Sequence, residues 1–360
     1  MSTVLFTPAT LPKNLQPFLL GSPQSKAPLD LKEKIDAVFA KGLQCLNTED
    51  RVMDGIGLLQ SRDYVFDAGD WVLKSARTGN LGRTPESLQD LLIHRVTQIE
   101  MLRSFVTHNK LEEAFHLPQK YLYWNESQRQ FYVVAEKLEL SDEIAKPHAE
   151  IEQLWRAEGF LLGGQLKKVG EGAQQRTITA LQARSLAQMS FLGYSDLTYN
   201  NLFFDKEGKI AIIDSEPLKK IFYNNLNASW LKYVADRSGL VAQHGLIGTA
   251  KLKTYCPTPE LLQEVEKVEK SHVLWYTAET ITKLVLVVIV FKVTAGVAIP
   301  FGSVAFVAIK VAAKTVLILK GTLLLTNGAS VHYFWHLSHK SHPNFAGLNK
   351  LSQIESTGRI

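Results

Sequence analysis

The hydrophobic positions along the chain follow two different periods, and each period predicts its own kind of element. Apolar residues that recur every three or four positions predict a first helix over 29–46 and a long amphipathic helix over 86–115. Between these helices, short apolar runs predict a hairpin that joins Tyr64–Phe66 to Trp71–Leu73 around a turn at 67–70. A second hairpin is predicted after the long helix, between Tyr121–Trp124 and Phe131–Glu136.

Further along the chain the pattern becomes mainly helical. Helical spacing is present over 148–163 and 175–192, and a third, shorter hairpin is predicted from Asn201–Phe204 and Ile210–Ile213 around a polar turn. This order is neither the strand–helix alternation of a parallel sheet nor an all-β pattern. The expected fold class is therefore α+β, with a small antiparallel sheet and one helix followed by a mostly helical part.

Composition and cysteine content exclude several classes of protein. The chain has 360 residues, of which 46% are hydrophobic, which is enough for a buried core and excludes wholesale disorder. Cys45 and Cys256 lie far apart without any C-x-x-C, which excludes a disulfide framework and a cysteine-ligated zinc site. The first residues lack the basic and apolar stretches of a secretory signal, so a location on the cytoplasmic side is expected.

Charge is distributed unevenly along the chain. The formal net charge is +5, yet residues 280–354 contain seven lysines and neither aspartate nor glutamate. The positive charge thus belongs to the C-terminal fifth, and residues 1–279 are slightly acidic. Since the main body has no general attraction for polyanions, nucleic acid is not expected as a partner.

The most informative polar cluster surrounds the third predicted hairpin. Asp196, Asn201 and Asp214 lie on or beside its two strands. A hairpin can bring the start of its first strand beside the end of its second, so Asn201 and Asp214 can share one cation, with Asp196 facing the same cleft. Four apolar residues lead into Asp214, and a carboxylate at the end of a buried strand is costly unless it is paired or bound to metal. The alternative is that these residues are ordinary turn formers.

The spacing D-x-x-x-x-N, followed by an apolar strand that ends in Asp, resembles the catalytic and metal-binding loops of the protein-kinase-like superfamily. That superfamily includes the aminoglycoside and choline phosphotransferases. Upstream, WVLK resembles the strand with the nucleotide-contacting lysine, and FYVVAEKLEL resembles the strand that runs into the hinge. The resemblance covers about residues 55–220 in the family's order.

The resemblance implies a bilobal kinase-like fold that transfers phosphate from ATP with the help of Mg²⁺. Lys74 would hold the α- and β-phosphates, and Glu100 would pair with that lysine. Glu136 and Leu138 would lie against the adenine ring. The remaining implied roles are magnesium binding by Asn201 and Asp214, and a base or orienting role for Asp196.

The sequence departs from the family pattern at three places. Tyr194 and Ser195 precede Asp196 where His or Arg is usual, Ser215 and Glu216 follow Asp214, and no G-x-G-x-x-G precedes Lys74. The missing glycine loop favours a small-molecule phosphotransferase over a regulated protein kinase, and the phosphate acceptor stays open. The same departures support an alternative function, a non-catalytic pseudokinase that acts as a nucleotide-binding or protein-interaction scaffold.

The acid-free region predicts membrane association through residues 284–325. Lys292 is the single charge in 284–309, and a transmembrane helix needs about 20 mainly apolar residues. The segment can be a membrane span or a re-entrant hairpin broken near 300–302, with lysines reaching anionic headgroups, and the sequence leaves open whether it spans the bilayer or lies in one leaflet. The alternative is that these residues form buried helices of the helical lobe. Four histidines follow at helical spacing: His332, His336, His339 and His342. The aromatic residues among them favour a belt at the membrane interface over a metal site.

These interpretations divide the chain into five parts. They are a loose leader over 1–28, a kinase-like N-lobe over 29–138, a helical C-lobe over 139–279, a basic hydrophobic region over 280–340, and a tail over 341–360.

Overall fold

Two β-sheets and a set of helices make up the described chain of this computed structural model, so the protein is of the mixed α+β class. The structure describes residues 7–11, 13–46, 63–76, 85–145, 174–194, 197, 202–213, 215, 230–296 and parts of 317–335. By its internal contacts the chain forms two units, 1–182 with 196–217, and 183–195 with 218–360. The first unit contains both sheets.

The first sheet is antiparallel and has four strands in the order β1-β2-β5-β4. These strands are β1 (Asp63–Ala68), β2 (Trp71–Ala76), β4 (Lys120–Asn125) and β5 (Gln130–Glu136). Gly69 has a φ of 75° in the tight turn between β1 and β2, a conformation that glycine adopts without steric cost. Both hairpins predicted for this part of the chain are confirmed.

Helices cover both faces of the first sheet. Helix α2 (Pro85–His108) packs Leu92, Ile93 and Val96 on one face, in a core with Leu122 and Val133. Helix α1 (Leu31–Lys41) packs on the other face and ends at Gly42, which has a φ of 91°. Successive side chains of a strand point to opposite faces of the sheet, so each of β4 and β5 supplies residues both to the core beside α2 and to the core beside α1.

The predicted loose leader is largely ordered where the structure describes it. Residues Lys13–Phe18 form a 3₁₀ helix, and the leucines around it belong to the core beside α2: Leu11, Leu15 and Leu19. The backbone N–H of Leu20 donates to the carbonyl of Leu122 at 2.8 Å. The leucines recur every four positions, which is a helical spacing, but Pro12 and Pro17 lie between them and favoured a loop in the sequence interpretation.

A second sheet, which the sequence does not predict as a unit, has five strands in the order β3-β9-β8-β6-β7. The strands are β3 (Phe115–His116), β6 (Leu140–Ala145), β7 (Gln174–Arg176), β8 (Phe203–Asp205) and β9 (Ile210–Ala211). The β8–β9 hairpin is the third one predicted. The hairpin pairs in parallel with β3 through β9 and antiparallel with β6 through β8, and β7 pairs in parallel with β6. Strands of two or three residues, such as β3 and β7, show no period of their own.

The second unit is helical in its described part. Helix α3 (Ala180–Ser190) begins five residues later than the predicted helix over 175–192 and crosses the unit boundary. Helices α4 (Trp230–Lys253) and α5 (Pro259–Gly296) follow and pack against each other. The helix predicted over 148–163 lies outside the described residues. Among the described helices, α5 is long and apolar enough to cross a membrane.

Candidate functional site

Lys74 lies in the middle of the first sheet, on β2. Its neighbours across the sheet are Val65 of β1 and Val133 of β5. Strand alternation puts Lys74 on the same face as Val72, which packs in the core beside α2. The lysine is thus half-buried on the face of the sheet that carries α2.

The candidate adenine-binding segment follows β5 directly and lies beside the strand of Lys74. Glu136 pairs with Trp71 in register, so Lys74 is three residues, or about 10 Å, further along the sheet. The Glu136 carboxylate accepts from the backbone N–H of Gln119 at 3.0 Å. Lys137 N–H donates to the carbonyl of Asp70 at 2.9 Å, which holds the chain leading to the half-buried Leu138.

Glu100 does not pair with Lys74 in this structure. It lies on α2, seven residues after Ile93 and therefore on the helix stripe that faces the sheet. Its carboxylate instead accepts from Nε of Arg103 at 3.2 Å, one turn further along the same helix. Within the described part of the chain, Lys74 makes no ion pair. The expected lysine–glutamate pair is thus replaced by a local pair within α2.

Asp196, Asn201 and Asp214 lie outside the described residues, but the residues beside them are described. Leu197 and Leu202 are fully buried. The strand that precedes Asp214 is also buried, with Ile210 and Ile212 fully enclosed. The chain that carries the candidate metal ligands is therefore rooted in the core of the first unit.

Lys120 is the functional candidate that the sequence analysis missed. It begins β4 and is only 1% exposed. Its ammonium donates to the carbonyl of Ile213 at 3.2 Å and to the hydroxyl of Ser215 at 2.8 Å, the residues directly before and after Asp214. Ser215 in turn donates to the carbonyl of Arg95 on α2 at 3.0 Å. A buried positive charge thus fixes the chain on both sides of Asp214.

The sequence contains little that could have identified Lys120. The predicted strand begins at Tyr121, and a lysine just before a strand is normally solvated. Its burial depends on contacts with residues more than ninety positions away, which no local period reveals.

The turn of the β8–β9 hairpin is held by a second polar cluster. One oxygen of Asp205 accepts from the backbone N–H groups of Glu207 and Lys209 at 2.9 and 2.8 Å. Its other oxygen lies 3.0 Å from Nδ1 of His116 on β3. The buried Asp205 thereby ties the hairpin to its parallel neighbour, which is a structural role.

Among the described residues, no group of three or more His, Cys, Asp or Glu side chains has the arrangement of a metal site. Of the four C-terminal histidines, His332 is described; its Nε2 lies 3.2 Å from the hydroxyl of Thr277, and its ring meets Trp335 edge-on. The proposed magnesium ligands Asn201 and Asp214 do not belong to the described residues.

Comparison of the chain with protein families, with curated proteins and with solved structures finds no match. The resemblance to the protein-kinase-like superfamily therefore depends on the sequence motifs and their order alone.

Proposed function

We propose that the protein is an ATP- and Mg²⁺-dependent phosphotransferase of bilobal kinase-like fold, with an unspecified acceptor, held at a membrane. In this proposal the four-stranded sheet and α2 form the first lobe, and the helices of the second unit belong to the second. Lys74 contacts the phosphates, the chain from Glu136 to Leu138 contacts the adenine, and Asp196 orients the acceptor hydroxyl.

The buried Lys120 carries this proposal furthest. A buried ammonium is costly unless acceptors surround it, and two of its acceptors belong to the residues that flank Asp214. Such an anchor suits a carboxylate that must hold a metal ion in one place, because metal ligands need positions fixed to a fraction of an ångström. An ordinary turn aspartate has no need of a buried cation on both of its neighbours.

The neighbouring strands β2 and β5 support the nucleotide part of the proposal. Trp71 and Glu136 are paired, which puts Lys74 and the chain after Glu136 on adjacent strands about 10 Å apart. A nucleotide bridges a gap of this order between its base and its phosphates. The local pairing of Glu100 with Arg103 leaves Lys74 available to a phosphate in the absence of nucleotide.

Calorimetric titration of the full chain with ATP, with and without Mg²⁺, tests the proposal. We expect ATP binding that strengthens with Mg²⁺, and Asp214→Asn should remove that dependence while leaving the fold intact, because it deletes a charge that faces a divalent cation. Lys120→Met should weaken the Mg²⁺ dependence in the same direction without removing a ligand. Lys74→Met should weaken binding with and without metal.

Exposed residues of the same types provide controls. Lys206 and Glu207 lie in the β8–β9 turn, and their substitution by Met and Gln should leave ATP binding unchanged. Wild-type binding that is absent or indifferent to Mg²⁺ would refute the magnesium site. Binding of Mg²⁺–ATP without ATP consumption, across a panel of small-molecule and protein acceptors, would favour the pseudokinase scaffold.

A further inference from the structure

The apolar helix α5 has a partner that returns along it. The hydroxyl of Thr277 lies 3.2 Å from Nε2 of His332. The Cβ position of Gly328 lies 3.8 Å from Cγ2 of Thr280, and that of Gly321 lies 3.9 Å from Cγ1 of Val287. As the residue number rises along α5 it falls along the partner, so the two segments run antiparallel.

The inner faces of the two segments repeat at the spacing of packed helices. Along α5 the more buried positions recur three or four apart: Val273, Tyr276, Thr280, Leu284 and Val287. Along the described helical residues of 317–335 they recur in the same way: Gly321, Leu324, Gly328, Val331 and Trp335. This alternation of three and four is the signature of two helices in lengthwise contact. We call this pair of segments, 273–296 and the described residues of 317–335, the apolar hairpin.

The outer face of the apolar hairpin is hydrophobic and largely exposed. Its large exposed side chains are each about half accessible or more: Ile281, Val285, Leu286, Val288, Ile289, Val290, Ile318 and Leu325. Of the most apolar stretch of α5, 17% is buried inside the structure. A core helix of a soluble lobe is mostly buried, so the packing contradicts the alternative of C-lobe core helices for this stretch.

Exposed aromatic residues and the last acidic residue of α5 lie close together at the base of the apolar hairpin. Trp275 is 71% exposed and Tyr333 is 52% exposed, and both lie at the level where Thr277 meets His332. The last acidic residue before the acid-free region, Glu279, is one turn away and forms a salt bridge with Lys283. Exposed aromatic residues mark a membrane–water interface, and purely apolar and basic sequence begins beyond it.

We infer that the apolar hairpin inserts into an anionic lipid bilayer with Trp275 and Tyr333 at the interface, so that both of its ends stay on the same side. This inference deepens the membrane part of the proposed function and does not depend on the nucleotide part. The described helix from Thr280 to Gly296 is about 25 Å long, close to the roughly 30 Å of a hydrocarbon core.

Charge favours lipid over a second protein molecule as the occupant. The region from 280 to 354 carries seven lysines without any acidic residue, so two copies packed along it would repel each other. Anionic headgroups attract basic residues near a membrane surface by about 1 kcal/mol for each one. A bilayer therefore satisfies both the apolar outer face and the positive charge around it.

Single-cysteine labelling of the full chain tests this topology. Cys45→Ser provides the background, because Cys256 is buried and its pKa is raised to about 12 by burial, which keeps its thiol unreactive near neutral pH. Trp275→Cys, Ile289→Cys and Tyr333→Cys are each added to preformed phosphatidylcholine–phosphatidylserine vesicles and treated with a membrane-impermeant maleimide. Glu260→Cys, on the exposed first turn of α5, is the aqueous control.

We expect vesicles to slow the labelling of Ile289→Cys by about tenfold or more, because the bilayer core excludes a charged reagent. Trp275→Cys and Tyr333→Cys should both be labelled from outside before lysis, as the Glu260→Cys control is. Vesicles of phosphatidylcholine alone should protect Ile289→Cys less. Val288→Cys, on the same outer face, replaces Ile289→Cys if the latter does not fold.

Three outcomes would overturn the inference. Labelling of Ile289→Cys at the lipid-free rate in the presence of vesicles would show that the outer face stays in water. Labelling of Tyr333→Cys only after lysis would show a single crossing in place of a hairpin. Protection of Ile289→Cys without lipid, in a dimer detected by sedimentation, would assign the outer face to a second copy. The same proteins titrated with ATP report on the nucleotide site, so failure of one proposal is distinguishable from failure of the other.

Discussion

Replacing Glu269 with Gln should destabilise the second unit far more than the loss of an exposed ion pair on the same helix. Glu269 lies on α5, completely buried, and its carboxylate accepts from the ammonium of Lys253 on α4 at 2.7 Å. Its other oxygen accepts from the hydroxyl of Thr249 at 2.5 Å. Removing the negative charge leaves a buried ammonium without its counter-ion.

The expected loss of unfolding free energy follows from that burial. Breaking a buried pair by removing one partner costs about 3–5 kcal/mol, and Gln should fall near the lower figure because its amide oxygen still accepts a hydrogen bond. Lys253→Met combined with Glu269→Leu should cost less than the single change, because no uncompensated charge remains. Thr249 also donates to the carbonyl of Leu246 at 3.2 Å, so its hydroxyl keeps a partner in the double variant.

Urea unfolding followed by circular dichroism measures the loss, and hydrogen exchange assigns it to α4 and α5. The matched control is Glu264→Gln, which breaks an exposed pair with Lys267 on the same helix and should cost about 1 kcal/mol or less. A cost for Glu269→Gln no larger than that of the control would mean that the pair is hydrated in solution, and would refute the packing of α4 against α5 described above.

The remaining predictions concern one glycine, one histidine and one turn. Gly245→Ala puts a Cβ 2.2 Å from Cδ1 of the buried Phe191 and should lower the free energy of unfolding by about 1–3 kcal/mol. Gly321→Ala should be tolerated, because its Cβ would lie 3.9 Å from Cγ1 of Val287. Thermal unfolding of both variants checks this. His272 stacks on Phe191, and burial lowers the pKa of its imidazole. Below about pH 6.5 the unfolded state therefore takes up a proton more readily than the folded state, and folding stability should fall as the pH drops. His272→Gln should flatten that part of the stability–pH curve. Asp205→Ala should cost about 1–3 kcal/mol in urea unfolding by leaving two turn N–H groups without their acceptor, and an unchanged midpoint would contradict the turn geometry.

The elements that could be predicted from the sequence are those with a clear period of their own. The hairpin through Gly69, the β4–β5 hairpin and the long helix α2 each repeat a strand or helix pattern over enough residues to identify them. The pairing of β2 with β5, in which Trp71 lies opposite Glu136, is not indicated by any local period, because the two strands lie about sixty residues apart in the sequence.

The second sheet shows where a local pattern is insufficient. Strand β3 has two residues and β7 has three, so neither displays a period. Both are strands because distant partners complete their hydrogen bonds: the carbonyls of Ala114 and His116 accept from the N–H groups of Ile210 and Ile212. A segment expected to begin a helix at 175 forms a strand for the same reason, and the helix starts once Thr179 and Gln182 cap each other's backbone N–H groups.

The candidate site shows the same limit for side chains. The sequence suggests Asp196, Asn201 and Asp214 as candidate ligands because they are oxygen-bearing side chains grouped around one predicted hairpin. It does not identify Lys120, since lysine is the residue type least often buried and nothing nearby in the sequence balances its charge. The acceptors of Lys120 come from 213 and 215, and they become neighbours only when the β8–β9 hairpin pairs with β3.

Among the described residues, buried lysines and exposed apolar side chains both depart from ordinary residue placement. Lys120 in the first unit and Lys253 in the second are both about 1% exposed, and each joins separate elements of its own unit. Lys253 pairs with a carboxylate and joins two helices, which is sufficient reason for its burial. Lys120 bonds a carbonyl and a hydroxyl on either side of Asp214, and so ties the first residue of β4 to the chain that follows β9. An anchor on both neighbours of Asp214 restricts the chain there, which is what the proposed role of that residue as a metal ligand would require.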